Sequence, residues 1–232
     1  MTDRGQGPSA SDAGRPAIRV LLADDHAVVR DGIRMLLDAE ADIAVIGEAD
    51  DGREAVRQTK KLRPNLVVLD VAMPELNGIE AAERIHAFDA SIRIVILSMY
   101  ATKEHIYRAL RAGASGYLLK ESAAAEVLAA VREVHAGRRY LSSKVSDEVI
   151  RGFLHPGRLD EIETPLERLT PREREVLQLV AEGKSSAQIG RILFLSPKTI
   201  DTYRSRLMQK LDIGDLAGLV RFAIRHGIIR AD

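Results

Sequence analysis

The chain has no cysteine and no tryptophan, and only four Phe and five Tyr among 232 residues. Without thiols, disulfide staples, thiolate metal sites and thiol catalysis are excluded. No segment approaches the roughly 20 apolar residues that a membrane helix needs. The opening MTDRGQGPSASDAGRPA also lacks the apolar core of a signal peptide. Residues 1–17 therefore read as a flexible tail, and the protein is expected to be soluble and cytoplasmic. Net charge is absent as well, with 34 Lys+Arg against 34 Asp+Glu. That zero conceals an asymmetry: residues 165–232 carry 12 basic and 8 acidic side chains, and residues 1–164 carry 22 and 26. An acidic front and a basic rear imply different partners for each half. The 46% hydrophobic and 29% charged composition suits a globular chain, whose length fits two ordinary domains.

From residue 18 onward, short apolar runs alternate with amphipathic segments. IRVLLA (18–23), IAVIGEA (43–49), LVVLD (66–70), IRIVILS (92–98) and GYLLK (116–120) read as strands. Helices are expected at 27–39, from Asp51 to Leu62, after the Met73–Gly78 loop to Phe88, at 103–112 and at 122–136. Strands apolar on both faces, each followed by a helix, imply a five-stranded parallel sheet covered on both sides. Ligands of such sheets gather at the carboxyl ends of the strands.

Those ends carry Asp24 and Asp25, Asp70, Ser98 and Lys120. Taken singly, an Asp there is a helix cap, and Lys120 a solvated charge. Taken together, three carboxylates on one edge repel and call for a cation, and all-oxygen ligands suit a hard ion such as Mg²⁺. Asp70, ending the central strand, is the expected nucleophile toward a phosphoryl group, with Asp24 and Asp25 as metal ligands. Ser98 and Lys120 would meet the phosphoryl oxygens. His26 reads as a helix-start residue, His86, His105 and His135 as surface residues, and Gly78 as the residue that permits the turn after Pro74.

The ADD after the first strand, LDVAMPELNG, Ser98 and GYLLK, spaced by 45 (Asp25–Asp70), 28 (Asp70–Ser98) and 22 residues (Ser98–Lys120), resemble a response-regulator receiver domain. The resemblance implies a flavodoxin-like doubly wound fold of order 2-1-3-4-5 over residues 18–137. It implies phosphorylation of Asp70 by a sensor histidine kinase and an Mg²⁺ site of Asp24, Asp25, Asp70 and the backbone carbonyl of Ala72. Tyr117 would be a switch aromatic acting with Ser98 and Lys120.

Residues 138–165 read as a linker carrying one helix, marked by Val145, Val149, Ile150 and Phe153, with a Pro- and Gly-containing core at 155–168. An all-α unit of four helices follows over 166–232. Thr170-Pro171 with Glu173 starts a helix to Ala181, Ser185 opens a second to Leu193, Ser196-Pro197 a third to Leu211, and a fourth spans Asp215–His226. The short turn between the second and third makes a helix-turn-helix. On the third helix, Ile200, Tyr203, Leu207 and Leu211 form a core stripe. Lys198, Thr199, Asp201, Thr202, Arg204, Ser205, Arg206 and Lys210 are the expected DNA contacts.

LTPREREVL and the run from Ser196 to Leu211 resemble the LuxR-type DNA-binding domain, and with the receiver the chain resembles the NarL/FixJ family of regulators. SPKTIDTYRSRLMQKL and AIRHGII are similar to the GacA/UvrY branch. The function implied is a transcriptional response regulator, not an enzyme, that binds double-stranded DNA as a homodimer paired through Leu216, Leu219, Val220 and Ala223. Phosphorylation would shift the balance between a state in which the receiver covers the recognition helix and one in which that helix is free to bind. Asp201, Ser186 and Gly190 depart from the family pattern and bear on base preference. An alternative is a phosphorylation-gated protein-interaction module. A phosphatase is disfavoured because Ala72 stands where a second acid would be needed.

Overall fold

Alternating buried strands and amphipathic helices wind residue by residue into a parallel sheet. The computed structural model describes residues 18–154 and 165–230. The tail expected at 1–17 and the linker core at 155–164 lie outside the described residues. The front unit runs β1 (Ile18–Ala23), α1 (Ala27–Asp38), β2 (Ile43–Ala49), α2 (Gly52–Leu62), β3 (Leu66–Asp70), α3 (Gly78–Phe88), β4 (Arg93–Ser98), α4 (Lys103–Arg111), β5 (Gly116–Leu119) and α5 (Ala123–His135). Helices start where the sequence offers a cap: Asp51 accepts from the Glu54 amide at 2.8 Å, and Asn77 from those of Ile79 and Glu80 at 3.1 and 3.0 Å.

All strand pairings are parallel, in the order β2-β1-β3-β4-β5-β6. The sheet therefore has six strands where five were expected. The additional β6 (Tyr140–Leu141) pairs with β5, and the amides of Tyr140 and Ser142 donate to the carbonyls of Ser115 and Tyr117. Two residues show no alternation, so the pattern could not reveal this strand. α6 (Ser143–Leu154), expected within the linker, packs on α4, and Val145 is fully buried in the core beneath β5. One face of the sheet packs on α1 and α5, the other on α2, α3 and α4, each through a continuous apolar cluster.

A 3-10 turn (Pro165–Arg168) leads into α7 (Pro171–Ala181), α8 (Ser186–Leu193), α9 (Pro197–Leu211) and α10 (Leu216–Arg225), which share a third core. Thr170 and Glu173 form a reciprocal capping box, as do Ser185 and Gln188. The two units dock on one another through ion pairs that run in both senses rather than following the charge excess of each half. Arg53 and Arg84 of the front unit reach Glu175, and Arg174 reaches Glu80 and Glu83.

Candidate functional site

β1 and β3 lie side by side, so the acids that end them fall at one edge. Asp24 and Asp70 are buried, and Asp25 is partly exposed. Lys120, arriving from the end of β5, places Nζ 2.7 Å from Asp24 Oδ2 and 2.9 Å from Asp70 Oδ2. Asp24, Asp25, His26 and Asp70 each offer a ligand atom within 4.8 Å of the others. The expected carboxylates and ammonium thus meet at one edge, and their oxygen donors fit a divalent metal ion. Ala72 lines the same cleft. Burial, and then the neighbouring Asp24 carboxylate, push Asp70 up to about 6, against the pull of Lys120 and Arg230.

Gly78 serves here by close approach. A Cβ on it would lie 2.0 Å from the Asp70 carbonyl oxygen, and its backbone is not left-handed, so the expected turn role gives way to tight packing of α3 on the end of β3. The left-handed residue of this loop is Glu75, at φ 61°.

Ser98 is fully buried, and its Oγ accepts from the Tyr100 amide at 3.0 Å. The Tyr117 ring is also fully buried, with its hydroxyl donating to the Tyr100 carbonyl at 2.7 Å. Burial raises its pKa. Ser98 and Tyr117 therefore converge on one residue, Tyr100, in the loop before α4. Tyr100 stacks on His105 with ring centroids 4.9 Å apart. His86 and His135 are exposed as expected, but His105 is buried. Its ring is covered by the other unit, whose Gly227 lies so close that a Cβ there would sit 2.1 Å from His105 Nε2. A helix considered alone could not reveal this.

The acidic pocket has an occupant that sequence reasoning missed. Arg230, beyond α10, pairs through Nη2 with Asp70 Oδ2 and through Nη1 with Asp25 Oδ1 at 3.0 Å. Nothing local marks it: one basic residue after an apolar stretch has no periodicity that points to a distant strand end. The loop after Asp70 is clasped as well. Gln178 of α7, fully buried, accepts from the Asn77 amide at 2.8 Å and donates to the Met73 carbonyl at 2.8 Å, and Glu182 accepts from the Glu75 amide at 2.9 Å.

On α9, Ile200 and Leu207 are buried, as their spacing predicts. Lys198, Asp201, Thr202, Ser205, Arg206 and Lys210 are exposed, and Thr199 and Arg204 are half-buried. The receiver-like unit leaves this face open, which corresponds to the free rather than the covered of the two expected states. It packs on α7, with Val220 and Ile224 of α10 facing Ala72, Met73 and Pro74 across a cleft. The expected pairing face of α10 also divides: Leu219 and Ala223 belong to the helical core, and only Leu216 of the four is exposed.

Two departures in the helix-turn-helix prove to be joined. Ser186 Oγ donates to Asp201 Oδ1 at 2.6 Å and accepts from Arg204 Nη1 at 3.3 Å, so Asp201 ties α9 to α8. Gly190 admits the Leu195 carbonyl, which a Cβ would approach to 2.6 Å. Lys210 is paired with Glu173 of α7 at 2.6 Å.

A family model for the response regulator receiver domain matches residues 20–132, and one for bacterial regulatory proteins of the luxR family matches residues 167–223. The transcriptional regulatory protein LiaR of Bacillus subtilis is 40% identical over 91% of this chain and 99% of its own. The response regulator UvrY of Escherichia coli is 35% identical over 93% and 97%, in keeping with the GacA/UvrY likeness. A solved complex of the response regulator RcsB with DNA is similar at a TM-score of 0.56 and 27% identity, over 89% of this chain and 97% of that one. With a receiver-type sheet carrying converged acids and a helix-turn-helix behind it, the chain belongs to the DNA-binding two-component response regulators with a LuxR-type output domain.

Proposed function

We propose that Asp70 is the phosphoacceptor of this regulator and that its modification governs how the helical unit engages DNA. The observation that carries this reading is the convergence of Asp24, Asp25 and Lys120 on a buried Asp70 at the carboxyl edge of the sheet. In the reaction, an Asp70 oxygen attacks the phosphorus of the phosphohistidine of a sensor kinase. The new P–O bond forms as the P–N bond breaks, and the imidazole nitrogen leaves with the electron pair. Asp24, Asp25, Asp70 and the Ala72 carbonyl are the residues that would hold Mg²⁺. When bound, this ion offsets charge between carboxylate and phosphoryl oxygens. Lys120, already shared by Asp24 and Asp70, is placed to follow the phosphoryl group as a point charge. Ser98 would exchange the Tyr100 amide for a phosphoryl oxygen. That exchange loosens the Tyr100 loop on which Tyr117 and His105 rest.

The output lies in α9. Lys198, Thr202, Ser205 and Arg206 present an exposed polar and basic face suited to the major groove, with Thr199 at its edge. Asp201 and Arg204, joined through Ser186, set the pitch of α9 against α8, and Lys210 braces its far end on Glu173. The RcsB–DNA complex supports double-stranded DNA as partner. Because the front unit covers Val220 and Ile224 while leaving α9 open, phosphorylation is read as freeing α10 to pair with a second copy. The unit boundaries near residues 137 and 166 and a cytoplasmic location belong to this reading; among the described residues no helix is long and apolar enough to cross a membrane.

The test is a comparison of wild type with Asp70→Asn on DNA fragments selected from a random pool, with and without a phosphoryl donor. Donor-dependent affinity in the wild type alone is expected. Equal, donor-insensitive affinities would reject phosphate control.

A further inference from the structure

α10 ends in a turn that fixes where the following residues go. Gly227 is left-handed at φ +60°, its amide donates to Ile224, and the Ile228 amide donates to Ala223 at 2.9 Å, a Schellman closure. Ile228 is buried in the helical core, and His226 Nδ1 pairs with Glu104 of α4 at 2.8 Å. The backbone leading to Arg230 is thereby anchored to the helical unit, while its guanidinium reaches the acids of the other unit.

Three carboxylates meet there, and Lys120 supplies one positive charge. Arg230 supplies a second, its two terminal nitrogens divided between Asp25 and Asp70. Asp70 Oδ2 thus receives both Lys120 and Arg230. A small divalent ion requires these oxygens at about 2.1 Å in near-octahedral array. The oxygen lone pairs and the space between Asp25 and Asp70 cannot serve a guanidinium and a metal ion together.

We propose that Arg230 is an internal cation of the acidic pocket, exclusive of the divalent ion, so that loading the ion releases the tail and loosens the helical unit. This rests on the reading of Asp24, Asp25 and Asp70 as the ion's ligands. It adds a residue outside the receiver-type unit that decides when the phosphoacceptor is accessible. The coupling is reciprocal: whatever holds the units closed weakens ion binding, and the ion weakens closure. If the closed arrangement holds nine molecules in ten, the apparent dissociation constant is raised about tenfold over the intrinsic one.

The experiment titrates magnesium chloride into full-length wild type, Arg230→Ala and Arg230→Gln by calorimetry, with exchange of the Glu75 and Asn77 amides, which are held across the interface, followed in parallel. Both variants are expected to bind the ion about tenfold more tightly than wild type. Wild type alone should show a magnesium-dependent rise in exchange at these two amides, since the variants are already loosened. Arg230→Lys, with its charge kept on a different stem, should fall between and serves if either variant folds poorly. Measurable, equal affinities in wild type and variants would overturn the role of Arg230 while leaving the ion site standing. No binding in any of the four proteins would remove the ion site, and the proposal with it. Protection of the Glu75 and Asn77 amides that persists in wild type at saturating magnesium would also overturn it.

Discussion

Gln178→Ala offers the sharpest perturbation of the clasp between the units. This side chain is fully buried and spans the interface in both senses, accepting from the Asn77 amide and donating to the Met73 carbonyl. Truncation leaves a donor and an acceptor without partners in the closed arrangement, at about 1–3 kcal/mol each. Opening the units lets water satisfy both groups, so the penalty falls on the closed form alone. A loss of about 2–6 kcal/mol shifts the equilibrium toward the open form by at least about 30-fold, at tenfold per 1.4 kcal/mol. Amide exchange reads this directly, because the Asn77 N–H donates to Gln178 and should lose protection together with the Glu75 amide held by Glu182. Asn77 Nδ2 also loses Gln178, a longer contact at 3.3 Å, but Asn77 Oδ1 still accepts from Ile79 and Glu80, so exchange within α3 should stay slow. Small-angle scattering should show a larger radius of gyration. Unchanged Asn77 protection and unchanged dimensions in Gln178→Ala would refute the reasoning.

Other perturbations address separate links. Gly227→Ala places a Cβ against His105 Nε2 in a left-handed backbone, at about 1–2 kcal/mol for the backbone alone, and should open the interface as measured by scattering. His105 is held near 4, below its ordinary 6.5, chiefly by burial and then by Arg108, so it is neutral where buried. Its contribution is full above about 6.5 and declines as pH falls toward 4, at most about 3 kcal/mol; a His105→Gln melt should lose that part of the acid sensitivity. Gly190→Ala gains about 1 kcal/mol of helix propensity but drives a Cβ into the Leu195 carbonyl, and the melting temperature should fall. On DNA, removing Lys198 or Arg206 should each reduce the salt slope by about one. Lys210→Ala should instead lower stability, since Lys210 is paired with Glu173.

The sheet was legible because its strands are apolar throughout, and the pocket because one topology carries Asp24, Asp25, Asp70 and Lys120 to one edge. Caps at Asp51, Thr170, Ser185 and Ser196 carried the helix starts for the same local reason. What escaped was set by contacts between elements far apart in the chain. β6 is two residues long and exists because β5 offers an open edge. His105 is buried by a glycine 122 positions later (105 to 227), and Arg230 meets Asp70 across 160 residues. The covered face of the helical unit belongs to this group, since Val220 and Ile224 have the same helical spacing whether they face a receiver or a second copy. Asp201 departs from the family pattern, and its partner Ser186 lies 15 residues earlier on another helix.

The docking surface is built from charge. Glu175, nearly inaccessible to solvent, would be raised by burial, yet Arg172, Arg84 and Arg53 outweigh that and hold it below its ordinary range. Electrolyte that strips a regulator from nucleic acid must also relax pairs such as Arg111–Glu167 at the rim of this surface. Brine acts on both sides of the balance at once, freeing more molecules for pairing while loosening each one's hold on phosphates. The intact chain should therefore show a flatter dependence of occupancy on ionic strength than a form already sprung apart, such as Gln178→Ala.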